Sequence, residues 1–392
     1  MIDPLPLRLK ANRSTLKNRT IAKITRIHQQ KERRSDYFYI TNNPNEKDID
    51  NYSAVISYDY NDKIEADQNI VFFDADVIQQ ITDGTIVAIN PDGRMHLLFR
   101  PESPHNTLFT TNSCNNNCLM CSQPPHDDNI EEMAKEQMKI LDLIDNPPEL
   151  LGLTGGEPTL LDGWLIDILS RINDQLPSSQ IHMLTNGRRY ADSEYCTKIA
   201  KIGNPNFLSL IPLFADNSVD HDYVVQSNGA FDETIRGIYN AAAMGLRIEV
   251  RVVLHKQTIP RLPELMEFIY RNLPFVEHVA LMGLENMGYV KKNWETLWID
   301  PIDYHEPLTE AVKHLFYRGI PVSIYNLQMC VVPEQLRSFM RNSISDYKNI
   351  YLTECSQCTL RSLCGGLFAS SEKLHSRGIK AQKNHSVREF TT

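Results

Sequence analysis

The chain has 392 residues, 42% apolar and 23% charged, with a formal net charge of −9. That length can bury a large core without disulfides, the acidic balance argues against a general nucleic-acid binder, and no apolar run approaches the length of a membrane span. The basic N-terminal stretch through Arg26 lacks the apolar segment of a secretory signal, and most of the eight cysteines fall into two groups, so the expectation is a cytoplasmic protein whose thiols are metal ligands.

Residues 1–105 read as a small β-rich domain. The stretch 53–60 alternates moderately, "VFFDAD" and "GTIVAI" have strand composition, and "NPDG" (Asn90 to Gly93) ahead of "RMHLLF" signals a hairpin. Residues 106–326 alternate short apolar strands with helical patterns. Strands are expected at 107–111, 150–154, 181–185, 207–213, 247–254 and 278–284, and helices at 130–144, 165–176, 193–201, 231–243 and 262–272. Six strand–helix units point to an α/β fold, a partial (β/α)6 barrel. Residues 327–392 hold the second cysteine group and end in a polar, basic tail expected to be loosely ordered.

The chemistry-bearing motifs sit where such a barrel builds its site, after the C-terminal ends of strands. Cys114, Cys118 and Cys121 follow the first strand in "TTNSCNNNCLMCSQPP"; "TGGEP" (Thr154 to Pro158) follows the second, "TNG" (Thr185 to Gly187) the third and "GLE" (Gly283 to Glu285) the sixth. Three thiolates on a four-iron cluster leave one iron without a protein ligand, much as a catalytic zinc site withholds one position. The alternative is a three-cysteine zinc site completed by His126 or His105. The paired prolines of SQPP stiffen the exit from the cysteine loop.

CxxxCxxC after a first strand, followed by GGEP after the second, resembles the radical S-adenosylmethionine (radical SAM) superfamily. That resemblance implies a [4Fe-4S] cluster whose open iron binds S-adenosylmethionine, an external electron donor, and reductive cleavage to a 5′-deoxyadenosyl radical. It also implies cofactor-binding roles. Gly155 and Gly156 would let backbone approach the methionine amino group, with Glu157 and Pro158 completing the turn. The other reading of GGEP is a plain strand-to-helix turn. Asn186 is a candidate for contacts near the cofactor, or simply part of an Asn-Gly turn. Ser209, in a segment similar to the fourth strand of peptide-modifying relatives, and Arg251 on the fifth strand are candidates for the methionine carboxylate. The segment departs from those relatives in having Ile-Pro where an acidic residue and glycine are common, and Arg251 could instead face solvent.

Cys330, Cys355, Cys358 and Cys364 form a closed set of four. They resemble the auxiliary-cluster extensions of peptide-modifying radical SAM enzymes, without the full seven-cysteine pattern, and one auxiliary [4Fe-4S] cluster is the expectation. A zinc ribbon is the alternative. Cys196 on a helix reads as a small buried apolar residue. Asp220, His221, Asp222, His255 and Glu285 lie near strand ends, and none stands out as a general acid or base.

"CSQPP", "IPLF" with "HD" downstream, "VALMGLENMG" and "SIYNLQMC" together resemble the C-type maturases of the His-Xaa-Ser system. This implies a ribosomally made precursor peptide with His-Xaa-Ser repeats as substrate, a paired radical SAM maturase and a small accessory protein; the acidic balance and the lack of a membrane-length apolar run lead us to expect no nucleic-acid or membrane partner. A radical enzyme acting on a small metabolite or nucleoside, and a non-catalytic metal-bound scaffold, are the other readings.

Overall fold

The computed structural model describes residues 8–58, 69–343 and 350–383. The end of the 53–60 alternation, the first seven residues of the basic N-terminal stretch and the last nine of the basic tail lie outside the described residues. The chain divides into two compact units: residues up to 110 with 129–153 and 163–180, and residues 111–128, 154–162 and 181 onward.

In the first unit, eight strands form a mixed sheet: β1 (Arg8–Lys10), β2 (Arg13–Ser14), β3 (Thr20–Thr25), β4 (Tyr37–Thr41), β5 (Ala54–Ser57), β6 (Ile70–Phe72), β7 (Ile86–Ile89) and β8 (Arg94–Phe99). Their order is β1-β8-β7-β3-β4-β5-β6-β2. The expected hairpin is present: Ile89 pairs with Met95, and the Gly93 amide donates to the Asn90 carbonyl at 2.9 Å. Strands β4, β5 and β6 are apolar at consecutive positions because both faces are covered. Phe38, Ile56 and Val71 join one core cluster; Tyr39, Val55, Ile70 and Phe72 join another. Helix Ile130–Leu143 is capped by the Asn129 side chain. Arg19 grips Glu136 of that helix with two bonds, at 2.6 and 3.2 Å.

Strands β9 (His105–Phe109), β10 (Leu150–Thr154), β11 (Gln180–Leu184), β12 (Phe207–Pro212), β13 (Arg247–Leu254), β14 (His278–Gly283) and β15 (Val322–Tyr325) follow chain order in a seven-stranded sheet. The sequence pattern predicts six. The seventh strand, VSIY, pairs in parallel with β14, and four residues are too few to show a periodicity of their own. Helices Ser218–Val225 and His305–Phe316 also went unforeseen. The five expected helices appear as Ile130–Leu143, Gly163–Gln175, Ser193–Lys201, Ala230–Ala243 and Leu262–Asn272. No helix among the described residues is long and apolar enough to cross a membrane.

Register assigns faces in the second unit, since in-register neighbours in a parallel sheet point the same way. Met183, Ser209 and Ile248 share one face, with Ile211 and Val250 above them, and all five are buried. Leu184, Leu210, Glu249 and His278 share the other, which continues through Arg251, Ala280 and Ser323.

Candidate functional site

The cysteine loop has almost no regular structure, so its backbone polar groups must find partners elsewhere. Asp128 takes the entry. Its carboxylate accepts from Thr111 Oγ1 at 2.8 Å, the Asn112 amide at 2.6 Å, Asn112 Nδ2 at 3.1 Å and Ser113 Oγ at 2.9 Å. Burial would raise its pKa, but these four bonds to the ionised form win and hold it below the usual aspartate value.

The GGEP turn closes on the same segment. The Gly156 amide donates to the Thr111 carbonyl at 2.6 Å and the Glu157 amide to the Ser113 carbonyl at 2.8 Å. A Cβ on Gly156 would lie 2.1 Å from the Ser113 oxygen. The glycine is therefore required by the approach of two backbones, whatever else the turn binds.

Glu157 was a cofactor-binding candidate, yet its carboxylate is turned into the protein and 1% exposed. One oxygen accepts from the Thr159 amide at 3.0 Å, Thr159 Oγ1 at 2.6 Å and Thr185 Oγ1 at 2.6 Å; the other accepts from the Asn186 amide at 2.6 Å. Burial raises its pKa against these four bonds. Pro158, also buried, starts the short 3-10 helix that follows.

Asn186 is similarly occupied. Its Nδ2 donates to Asn115 Oδ1 at 2.6 Å, and its Oδ1 accepts from the Arg188 amide at 3.0 Å. The neighbouring Arg188 contributes most here. Its guanidinium donates to the Asn115 carbonyl at 2.7 Å, Asn116 Oδ1 at 2.6 Å, Ser227 Oγ at 2.9 Å and Glu233 at 2.7 Å. Asn115 and Asn116, two of the three asparagines between Cys114 and Cys118, are thus acceptors for the TNG segment and its arginine.

Farther along the loop, the Asn117 and Leu119 amides donate to the carbonyls of Val225 and Val224. Met120 packs in a buried cluster with Phe214, Val224, Val290 and Leu297, and Cys118 and Leu119 pack against it. The segment after β14 seals the end. Tyr289 donates its amide to the Cys121 carbonyl at 2.9 Å, Asn293 Nδ2 donates to the Leu119 carbonyl at 2.8 Å, and a Cβ on Gly288 would sit 2.2 Å from the Cys121 oxygen.

Burial raises the pKa of all three thiols, that of Cys114 to about 11. As free thiols they hold their protons; bonding to a metal would displace them. The Asn116 amide donates to the Cys114 sulfur at 3.4 Å. Among the described residues, no group of three or more His, Cys, Asp or Glu side chains is placed to hold a single metal ion. His126 donates its amide to the Asn112 carbonyl, and His105 begins β9, at the other end of that strand from the loop.

The structure separates Ser209 from Arg251. Ser209 is fully buried and bonds the hydroxyl of buried Tyr190 at 3.0 Å, whereas Arg251 lies on the opposite face of the sheet. The two cannot clasp one carboxylate together. Arg251 donates to Glu249 at 2.7 Å, Glu249 bonds His278 at 2.9 Å, and His278 bonds Ser323 at 3.0 Å, a polar chain across three strands. Burial works against the Glu249 charge, but His278 and Arg251 keep its pKa below the ordinary value.

The four C-terminal cysteines come together. Cys330, Cys355, Cys358 and Cys364 line one pocket with Met329, Leu360 and Lys380. The pocket holds about 350 Å³ of atom-free space, part of it open solvent. Cys196 is fully buried, and burial lifts its thiol to about 11.

Four of the five strand-end polar residues are structural in setting. Asp222 accepts from the Gly229 and Phe231 amides, Asp220 bonds Asn217, and His221 accepts from the Phe214 amide. His255 bonds Thr258, and burial lowers it to about 3 and His221 to about 4. Asp128 and Arg188 were missed from sequence. The signals were there: an acid just past SQPP in "HDDN", and a basic residue directly after TNG.

The model described as the radical SAM superfamily matches residues 108–269. The Fe-coproporphyrin III synthase of Methanosarcina barkeri (strain Fusaro / DSM 804) is 26% identical over 163 residues, 41% of this chain and 39% of that protein. The chain thus spans about two fifths of the length of this curated relative. Streptococcus suis SuiB bound to S-adenosylmethionine aligns with 61% of this chain and 53% of its own, at 15% identity and a TM-score of 0.47. The coproporphyrinogen III oxidase HemN of Escherichia coli aligns with 56% and 54%, at 12% identity and a TM-score of 0.42. The matched residues 108–269 include the cysteine loop, GGEP, TNG, Ser209 and Arg251, so this part of the chain is similar to the radical SAM superfamily, a family that implies a [4Fe-4S] cluster and S-adenosylmethionine.

Proposed function

We propose that the chain is a radical SAM maturase of a ribosomally made precursor peptide, one carrying His-Xaa-Ser repeats. The observation that carries the radical reading is the clamped loop: three thiols on a segment fastened by GGEP, by TNG-Arg188 and by the turn after β14. The donor set fits a cluster. Each thiolate binds a different iron, so the three sulfurs need not converge on one point as they must around zinc. When bound, the cluster would supply one electron to the sulfonium of S-adenosylmethionine, giving methionine and a 5′-deoxyadenosyl radical that removes a hydrogen atom from the substrate. The protein's part is to fix the loop, to offer the backbone of Gly155 and Gly156, and to present Arg251 for the methionine carboxylate.

In this proposal residues 1–105 are a β-rich appendage, 106–326 the partial barrel with an added seventh strand, and 327–392 an extension carrying an auxiliary [4Fe-4S] cluster. The shared pocket of Cys330, Cys355, Cys358 and Cys364 supports that extension. Location in a reducing cytoplasm, a paired maturase, a small accessory protein and an external electron donor complete the proposal. The peptide substrate is supported by the four sequence segments that resemble C-type maturases. Similarity to a protein named for coproporphyrin synthesis favours a small metabolite as the second reading.

Mass spectrometry of the His-Xaa-Ser precursor after co-expression separates the two. A mass change that depends on Cys114, Cys118 and Cys121 supports the peptide. An unmodified precursor, together with deoxyadenosine production stimulated by a metabolite, transfers the activity to that class. If fully reconstituted protein with strong reductant makes no deoxyadenosine, the enzymatic reading fails.

A further inference from the structure

Arg188 is the most heavily bonded cation around the cysteine loop. Its side chain is 11% exposed, while its acidic partner Glu233 is 46% exposed. The guanidinium touches the Asn115 carbonyl, one residue from Cys114, and reaches Asn116 Oδ1 and Ser227 with the same nitrogen. Arginine suits the place because its fork reaches several acceptors at fixed angles and it stays charged when buried. A solvated carboxylate is screened by water, so Glu233 offsets only part of a charge that acts through lower dielectric. The buried carboxylate of Glu157 in the neighbouring turn acts in the opposite sense.

We propose that Arg188 is a positioning residue for the loop of Cys114, Cys118 and Cys121, and that its charge raises the reduction potential of the cluster held there. The inference rests on the radical SAM reading. The step is a one-electron reduction: the oxidised cluster gains one negative charge from an external reductant, no bond forms or breaks, and the nearby cation favours the more negative state. The field also falls on the segment that must keep its shape in both states, so clamp and charge come from one side chain.

The test is an anaerobic dithionite titration, with redox mediators, of reconstituted full-length protein followed by electron paramagnetic resonance. The signal followed is the one that changes on adding S-adenosylmethionine, which separates it from any second centre. Arg188→Gln is expected to lower the equilibrium constant for reduction about tenfold, a shift of about 59 mV to more negative potential. Arg188→Lys should recover most of the potential, and Glu233→Gln should move it to more positive values. An Arg188→Gln midpoint equal to wild type overturns the proposal, and so do same-direction shifts in Arg188→Gln and Glu233→Gln. If Arg188→Gln takes up too little iron to titrate, the other two variants decide: a wild-type midpoint in Glu233→Gln leaves only a clamp and overturns the charge role. A wild-type protein with no S-adenosylmethionine-responsive signal rejects the parent reading instead.

Discussion

Replacing Gly156 with alanine tests the contact on which the site is built. The new Cβ would lie 2.1 Å from the Ser113 oxygen, 2.6 Å from its carbon and 2.8 Å from the Asn112 oxygen. All three are backbone atoms, so no side chain can swing away; the GGEP turn and the cysteine loop must part by more than an ångström. Parting breaks the bonds from Gly156 to Thr111 and from Glu157 to Ser113, about 1 kcal/mol each. Residual crowding adds about 1–3 kcal/mol, for about 3–5 kcal/mol in total. That is a large share of a stability of about 5–15 kcal/mol, and it lowers the melting temperature by about 10 °C for a cooperative unit of about 200 residues. Gly163→Ala is the control, since a Cβ there meets nothing within 4 Å. The assay is thermal unfolding by circular dichroism together with S-adenosylmethionine binding by equilibrium dialysis. A Gly156→Ala protein that melts with the control and binds the cofactor as wild type does would refute the reasoning.

The other substitutions follow from side-chain commitments. Glu157→Gln sets an amide N–H₂ among four donors and should cost about 1–3 kcal/mol; faster hydrogen exchange in 110–116 and 184–188 would register it, and unchanged exchange would count against the clamp. Ser209→Ala removes only the Tyr190 bond and should leave cofactor affinity unchanged, whereas Arg251→Ala should weaken it about tenfold or more, a charge-assisted bond being about 1.5–3 kcal/mol. Calorimetric titration of both variants checks the order, and a reversed order would restore Ser209 as a ligand. Asp128 titrates below the ordinary aspartate value of 3.8 in the folded protein. Its contribution is therefore complete above that value and is lost as pH falls through the lower folded one. Metal-free protein should show loop opening at 111–113 below about pH 4, and Asp128→Asn should remove that pH dependence.

The strand ends, the cysteine loop and the GGEP and TNG turns were legible because each is short and local. Three features were not. The face of Ser209 could not be read from FLSLIP, which is apolar on both sides; a strand covered on both faces shows no alternation. Asp128 and Arg188 act through contacts far apart in sequence, and a lone charged residue has no period to reveal it. Strand β15 was read as part of a family signature, and its pairing with β14 is visible only in three dimensions. GGEP was legible as a motif but not as a device: the glycine serves backbone-to-backbone contact, and the acid serves a hub joining Thr159, Thr185 and Asn186.

The two cysteine groups differ in how much of their shape the protein supplies, and this leads to a last prediction. From Thr111 to Cys121, the Asn112, Ser113, Asn117, Leu119 and Cys121 amides and the Thr111, Asn112, Ser113, Asn115, Leu119 and Cys121 carbonyls all have protein partners. Met120 adds a buried anchor. Such a loop is held before any metal arrives. In the C-terminal group, Cys355 ends the three-residue 3-10 turn Thr353–Cys355, and Cys364 caps another, Arg361–Leu363. Among the described residues, the group's longer-range ties include the Ile350–Leu367 bridge, Tyr351 to the Cys364 carbonyl, Gln328 to the Gly366 carbonyl, and Gln382 with Cys358, Thr359 and Arg337. Where local structure is this sparse, metal binding is itself folding energy. Anaerobic removal of metal by a chelator should therefore leave exchange across 111–121 within about threefold of the loaded protein, while 350–367 should lose protection by about tenfold or more, equivalent to about 1.4 kcal/mol of local stability. If the first loop opens and the C-terminal segment stays protected, the hydrogen bonds around Cys114 to Cys121 are weaker than their number implies, and the clamp gives way as the explanation for why three thiols can stand there without a fourth.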